Sequence, residues 1–428
     1  MSGSTGPTIA PTARLPSGVV RLLGAGLVAG QRVLDALGSV PSRLPVLLVC
    51  AIALLLRLWL SWESVGTNDI LTWQGFAAKV REVGVLRTYQ LDAWFNHPPL
   101  MGYWARLALE VAEASALPFP FVFKLLPIAA SVATVYALTV SYQLAWWKLL
   151  VLASNPVDIL IGSYHGNTDC LCVSLCVAAL LMANAGRSLM SGLMLAAAIN
   201  VKLIPVILIL PLLASLPSWS GRLRCLLGLA LGALPFVPVL LTVFDAFVTN
   251  AILYNSFRAY WGFGMLAYGS VTSFPRTSAE VWAFADQGKY LILLSSALYA
   301  VLPRAGVAVE RAQYLAFPMA SFLVFASGFG PQYLVYPLPF LVLVRPRLAF
   351  AFAYLAGAFA FFLYHWYWTK TFPLYSQFNT NWPDMNALLF GFASWCVLAY
   401  FWLDSVGAQA VAFARRVLQQ RGAPRQQA

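Results

Sequence analysis

Charge is what this chain has least of. Only 10% of its 428 residues are charged, with 15 acidic side chains in all, against 61% hydrophobic residues and a mean hydropathy of +0.75. Soluble domains carry about a quarter charged residues and about half apolar ones, so a soluble fold is excluded. A dense basic domain is missing too, despite a formal net charge of +12. The basic residues sit in small clusters between apolar runs, which suits anionic lipid headgroups and membrane orientation and gives no partner role to nucleic acid. The six cysteines show no paired spacing, even where Cys170, Cys172 and Cys176 cluster; they read as small hydrophobes, not as a metal site or disulfide framework. There is no internal repeat, no low-complexity tract beyond the two ends, and no compact layout of a cleavable signal peptide.

What is present is a succession of apolar runs. At about 20 residues per span with short loops, the length holds roughly a dozen spans in one membrane domain, 45–404. Residues 1–44 form a basic cytoplasmic leader with Arg14, Arg21, Arg32 and Arg43 and the single acid Asp35. The first span, 45–62, therefore delivers the following polar segment to the outside. Lys148, Arg187, Arg222 with Arg224, Arg304 with Arg311, Arg345 with Arg347 and the basic tail 405–428 all fall inside together under one set of helices. That set covers 125–145, 149–162, 170–185, 189–203, 205–215, 225–244, 290–302, 313–327, 334–344, 348–366 and 386–404. Several are short, which implies tilted, kinked or re-entrant elements.

The same alternation requires 98–116 not to cross. Arg106, Glu110 and Glu113 share one helical face there, as in an amphipathic helix on the outer surface. The alternative is a true span with these groups facing the bundle interior, which inverts the sidedness of everything after it. Two long outer loops result, 63–124 and 245–288, with shorter outer stretches at 164–169 and 328–333.

The polar residues in those loops are the candidates for chemistry. Asp69, in Thr-Asn-Asp-Ile, places a carboxylate near the outer surface, where it can take a proton from a hydroxyl; alternatively it caps the helix that follows. His97 lies in Asn-His-Pro-Pro-Leu, where two prolines fix an extended turn, and structural punctuation is the competing reading. Tyr-His-Gly-Asn-Thr-Asp, with His165, Asn167 and Asp169, is a polar cluster between apolar runs that a phosphate or sugar would satisfy; a turn capping the next helix through Asp169 is the alternative. Lys202 is an ammonium in an apolar stretch, beside a break at Pro205. It either binds a phosphate or snorkels to the interface. Arg258, among aromatics in the second long loop, offers a guanidinium fork for phosphate. Gly-Phe-Gly-Pro-Gln-Tyr breaks a helix and presents Gln332 and Tyr333.

The first-loop acid, the Pro-Pro-Leu, the His-Gly-Asn-Thr-Asp turn, the lysine–proline break and the late Gly-Pro-Gln-Tyr together resemble the polytopic glycosyltransferases of the GT-C superfamily. The likeness is to the bacterial branches that use polyprenyl-phosphate-linked sugars, and it extends over residues 57–337. It implies an all-α polytopic integral membrane protein, a GT-C-like bundle of about 11–13 transmembrane helices whose outer-face loops form the site. It further implies an inverting hexosyl- or mannosyltransferase that moves sugar from a polyprenyl-phosphate donor to a lipid-linked or cell-envelope glycan acceptor. The membrane would be the bacterial inner membrane, with both termini cytoplasmic. By the same resemblance Asp69 is the catalytic base, 97–100 closes one side of the site, and His165, Asn167 and Asp169 orient donor phosphate or acceptor. Lys202 and Arg258 are assigned here to the leaving phosphate. The first loop reads Asn-Asp-Ile in place of a paired acidic motif, so no metal or other cofactor is implied. The rival readings are a transporter or flippase of a lipid-linked substrate, with a site near mid-membrane, and a non-catalytic subunit that binds lipid-linked glycan.

Overall fold

A computed structural model describes residues 38, 42–254, 261–265, 275–301, 310–368 and 385–422. Almost all of the leader, parts of the loop 245–288, and Arg258 lie outside these residues. Among the described residues every regular element is helical, with no strand. Arg43–Glu63, Phe119–Tyr142, Trp219–Thr242, Pro346–Tyr364 and Leu388–Val411 are long and apolar enough to cross a membrane. At about 1.5 Å per residue, some 20 residues traverse a hydrocarbon core of about 30 Å. Asp169–Asn184, Ser188–Val201, Ile204–Ser215, Gly288–Val301 and Pro331–Val344 are apolar but shorter. The chain is an α-helical membrane protein, and two of its shorter apolar helices, Ile204–Ser215 and Pro331–Val344, are interrupted by prolines and 3-10 turns.

The first helix, α1 (Arg43–Glu63), carries one mid-helix charge, Arg57. Its side chain is 1% exposed and donates to the carbonyls of Ala53 and Ala153, both at 3.1 Å, and to Asp158 Oδ2 at 2.7 Å. The Ser131 hydroxyl donates to the same carboxylate oxygen. A charge at this depth persists only when paired, and this pair pins α1 to the middle of the chain.

Neither α2 (Asn68–Leu91) nor α3 (Pro99–Ser115) is among the helices long and apolar enough to cross a membrane. Buried Ile70, Trp73, Phe76, Ala77 and Val80 recur at helical spacing along α2, and Met101, Ala105, Ala108 and Ala112 do so along α3. The charged face of α3 is exposed and paired, Arg106 with Glu110 and Glu113 with Arg81 of α2, each at 2.7 Å. After α4 (Phe119–Tyr142) comes a clear departure from the expected helices. The segment 149–162 is not continuous: α5 (Trp146–Ala153) stops at Ser154, the Asn155 side chain accepts the Val157 amide at 3.1 Å, and Pro156 begins a new turn. Proline lacks an N–H and clashes with the preceding turn, so the helix restarts there and passes into a π-helical turn, Leu160–His165.

Next come α6 (Asp169–Asn184), α7 (Ser188–Val201) and α8 (Trp219–Gly232). The expected helix at 225–244 starts earlier and is interrupted by a 3-10 turn at Leu234–Phe236 before Val237–Thr242. Glycine decides how α7 meets α8. A Cβ on Gly192 would lie 2.0 Å from the Cys225 carbonyl oxygen, and one on Gly228 2.1 Å from that of Leu189. Gly192 with Ala196 faces Gly228 with Gly232, the small residues four apart that let membrane helices touch backbone to backbone. Gly228→Val is therefore expected to cost about 1–3 kcal/mol or more through overpacking, read as a lowered unfolding midpoint in detergent. An unchanged midpoint would mean that α7 and α8 do not meet there.

The chain closes with α9 (Gly288–Val301), α10 (Arg311–Phe325), α11 (Pro346–Trp368) and α12 (Met385–Gly422). The last helix runs 38 residues, so the tail expected from 405 begins inside a helix and not after one.

Candidate active site

Two loops meet above the spans. The turn from Ser64 to Thr67 enters α2, and Thr67 donates from its amide (3.4 Å) and its hydroxyl (3.3 Å) to the carbonyl of His165. Gly66, at φ +111, permits this approach, since a Cβ there would lie 2.9 Å from the Tyr164 carbonyl oxygen. Lys124 of α4 is fully buried and donates to the Ser64 carbonyl (2.9 Å) and hydroxyl (3.3 Å), holding the turn from below. Gly166 has a positive φ of +78, and a Cβ there would press on Ile70 and on Lys124, each at 3.0 Å. That reversal sends the flanking side chains, His165 and Asn167, to one point.

The point is Asp69. Its Oδ2 lies 2.8 Å from His165 Nε2 and accepts Asn167 Nδ2 at 2.7 Å. The Asn167 amide is oriented by its other end, which accepts the Thr168 backbone N–H at 2.7 Å. Asp69 belongs to the first turn of α2, Thr67 holds the N-cap position, and the Asp69 carboxylate bonds His165 and Asn167 instead, so the cap reading fails. Its carboxyl is pushed up by burial and pulled down more strongly by His165, through charge and hydrogen bond, and by Lys202 and His97, leaving it at about 2. The group is an anion at neutral pH. Oδ2 is occupied by two donors, while Oδ1 has none among the described residues.

Asp69 faces a cavity of about 1080 Å³ that also has Trp73, His97, Asn167, Lys202, Gln332 and Tyr333 on its wall. The His97 ring lies against Trp73 at 4.3 Å between centroids, and its carbonyl accepts the Tyr89 hydroxyl. Burial, reinforced by Lys202 and opposed by Asp69, lowers its imidazole to about 3. His97 is thus an uncharged wall and supplies no cation to a phosphate. The loop bearing it is fastened by Asn250, which donates to the carbonyls of Tyr89 (2.9 Å) and Asp92 (3.1 Å), and by the Lys79–Asp92 pair at 2.6 Å.

The remaining candidates divide. The stretch 164–169, expected as a polar cluster on the outer side, is buried throughout, and Asp169, at 0% exposure, does not line the cavity. Its two oxygens accept Lys202 Nζ at 3.0 and 2.8 Å, and that ammonium also lies 4.9 Å from the Tyr333 ring centroid. Lys202 is therefore paired rather than snorkelling, and its charge is already answered by a carboxylate. Arg258 lies outside the described residues.

Two groups on the site escaped the sequence reading. Lys289, in the first turn of α9, lines the cavity and has no carboxylate partner among the described residues. Tyr364, near the end of α11, is buried, and its hydroxyl lies 2.7 Å from His165 Nδ1. In sequence it is one aromatic among many at the end of an apolar run, where belt residues are common, so nothing local marks it. Among the described residues no three His, Cys, Asp or Glu side chains gather as a metal site. The arrangement can hold a neutral hydroxyl against an ionised carboxylate in a cavity whose wall also carries an ammonium without a carboxylate partner among the described residues, with Leu203, Ile204, Ile252 and Ile292 giving the same cavity an apolar flank. Neither a protein-family model nor a curated protein matches the chain.

Proposed function

We propose that this protein is a glycosyltransferase that moves a sugar from a polyprenyl-phosphate donor to a hydroxyl of a lipid-linked or cell-envelope glycan. In this reading the reaction takes place at the outer face of a bacterial plasma membrane, within a GT-C-like bundle whose termini are cytoplasmic. The observation that carries it is the Asp69 carboxylate, anchored through one oxygen and open to a large cavity through the other. The volume, about 1080 Å³, lies at the top of the usual range for small-molecule sites, roughly 300–1,000 Å³, which suits a sugar and an acceptor held together. The apolar flank suits the first isoprene units of a lipid carrier, and the polar wall suits sugar hydroxyls.

The chemistry follows from those groups. Asp69 Oδ1 takes the acceptor hydroxyl proton as its oxygen attacks the anomeric carbon. The bond from that carbon to the phosphate oxygen breaks with inversion, and the lipid phosphate leaves as an anion. Among the described residues Lys289 is the cavity cation without a carboxylate partner and is assigned to that anion, since Lys202 is held by Asp169 and Lys79 by Asp92.

The test is transfer of radiolabelled sugar from a panel of polyprenyl-phosphate sugars to membrane glycolipid or polysaccharide acceptors by the purified protein. Label appearing in an acceptor supports the reading. No transfer with any donor, together with substrate flux in proteoliposomes, replaces it with a transporter. Lys289→Met is expected to raise the donor KM about 10-fold, the size of one charge-assisted contact; an unchanged KM removes Lys289 from the donor site.

A further inference from the structure

The base has a support that reaches across the bundle. Asp69 Oδ2, as a carboxylate oxygen, can only accept, so His165 Nε2 must carry a hydrogen. In a neutral ring Nδ1 then bears the lone pair, and the group facing it is the Tyr364 hydroxyl at 2.7 Å. Both rings are buried, at 4% exposure for His165 and 3% for Tyr364, so water does not substitute for either bond. Asp69, His165 and Tyr364 come from three segments: α2, the π-helical turn, and α11.

We propose that Tyr364 is a positioning residue for the reaction: acting through His165, it keeps Asp69 Oδ2 engaged, so that Oδ1 alone receives the acceptor proton. The inference rests on the glycosyl-transfer reading for its kinetic consequences but not for its geometry. Without the tyrosine hydroxyl, the Nδ1 lone pair is buried and unsatisfied, and the ring loses the contact that fixes its orientation toward Asp69. The Nε2–H bond to Asp69 Oδ2 is then less well held, and the carboxyl ionises at higher pH. The titratable groups around Asp69 are His165, His97 and Lys202, with Asp169 behind Lys202 and Tyr364 behind His165. Of these, only His165 is touched by Tyr364.

The experiment combines kinetics with a spectroscopic readout in the full chain. Tyr364→Phe is nearly isosteric and is expected to lower kcat roughly 10-fold, with donor KM within about 2-fold and the acid limb of the pH profile raised by about one unit. His165→Gln places an amide N–H where Nε2–H stood and needs no partner behind it. Adding Tyr364→Phe to that variant should therefore cause no further loss. Nitrogen-15 spectra of the imidazoles, with the His165 signal identified by its absence in His165→Gln, should show the Nε2–H form in wild type, and in Tyr364→Phe the Nδ1 resonance should shift as its lone pair loses the tyrosine hydrogen bond. Absence of sugar transfer by wild type overturns the glycosyl-transfer reading while the spectra still decide the relay. Equal loss from Tyr364→Phe with or without His165, or an unchanged His165 spectrum, overturns the relay.

Discussion

Asp69→Asn is expected to lower sugar transfer by about 10²–10⁴-fold, the usual contribution of a positioned general base. The asparagine fits the site with little change. Its carbonyl oxygen takes the place of Oδ2 and keeps both donors, His165 Nε2 and Asn167 Nδ2. That choice turns the amide NH₂ toward the cavity, where Oδ1 stood, so the reacting hydroxyl meets a donor in place of a proton acceptor. Transfer within a few-fold of wild type would remove Asp69 as the base. The folded-state carboxyl, at about 2, lies below its ordinary value. Its ionised form thus contributes stability that is complete above about pH 4 and lost as the pH falls toward 2. The asparagine variant lacks that contribution, so its unfolding midpoint should approach that of wild type at low pH.

Lys202→Met is expected to be the most destabilising single change, costing about 3–5 kcal/mol by leaving a buried carboxylate without its partner. Asp169 is completely buried and both its oxygens are satisfied by Nζ. Removing the cation strands the charge, whereas Asp169→Asn combined with Lys202→Met removes both charges and should recover most of the loss. Thermal unfolding of the three variants in detergent checks this. If Lys202→Met unfolds like wild type, the ammonium is not held by Asp169, and it returns to the role of phosphate ligand that its sequence position suggested.

The apolar helices are nearly where continuous apolarity puts them: 45–62 against Arg43–Glu63, 170–185 against Asp169–Asn184, 189–203 against Ser188–Val201. Hydropathy is a local property and survives folding unchanged. The break at Asn155–Pro156 was visible as a polar interruption, but an apolar run on either side made one helix look sufficient. Asp69, His165 and Asn167 stood out as polar groups at the ends of apolar runs, and they do share one point in space. Their roles were less legible, because a role depends on the partner. Asp169 and Lys202 each looked like a ligand for phosphate, and only the packing of α6 against the end of α7 shows that they satisfy each other. Tyr364 follows His165 by 199 residues, and no periodicity or motif relates two positions that meet only through tertiary packing.

The Arg57–Asp158 pair sets a condition on how the protein is made. The two residues are 101 positions apart, and a ribosome adding about 5–20 residues per second needs about 5–20 s to cover that distance. For that interval the first hydrophobic segment holds a guanidinium that has no carboxylate, within a stretch whose mean hydropathy is 2.3. An unpaired arginine at the helix centre costs about 2.5–3.5 kcal/mol on insertion, which the apolar residues around it offset narrowly. Arrival of the turn at 156–159 therefore adds stability to a span already made, and a nascent chain cut short before residue 158 would leave its first span without its partner.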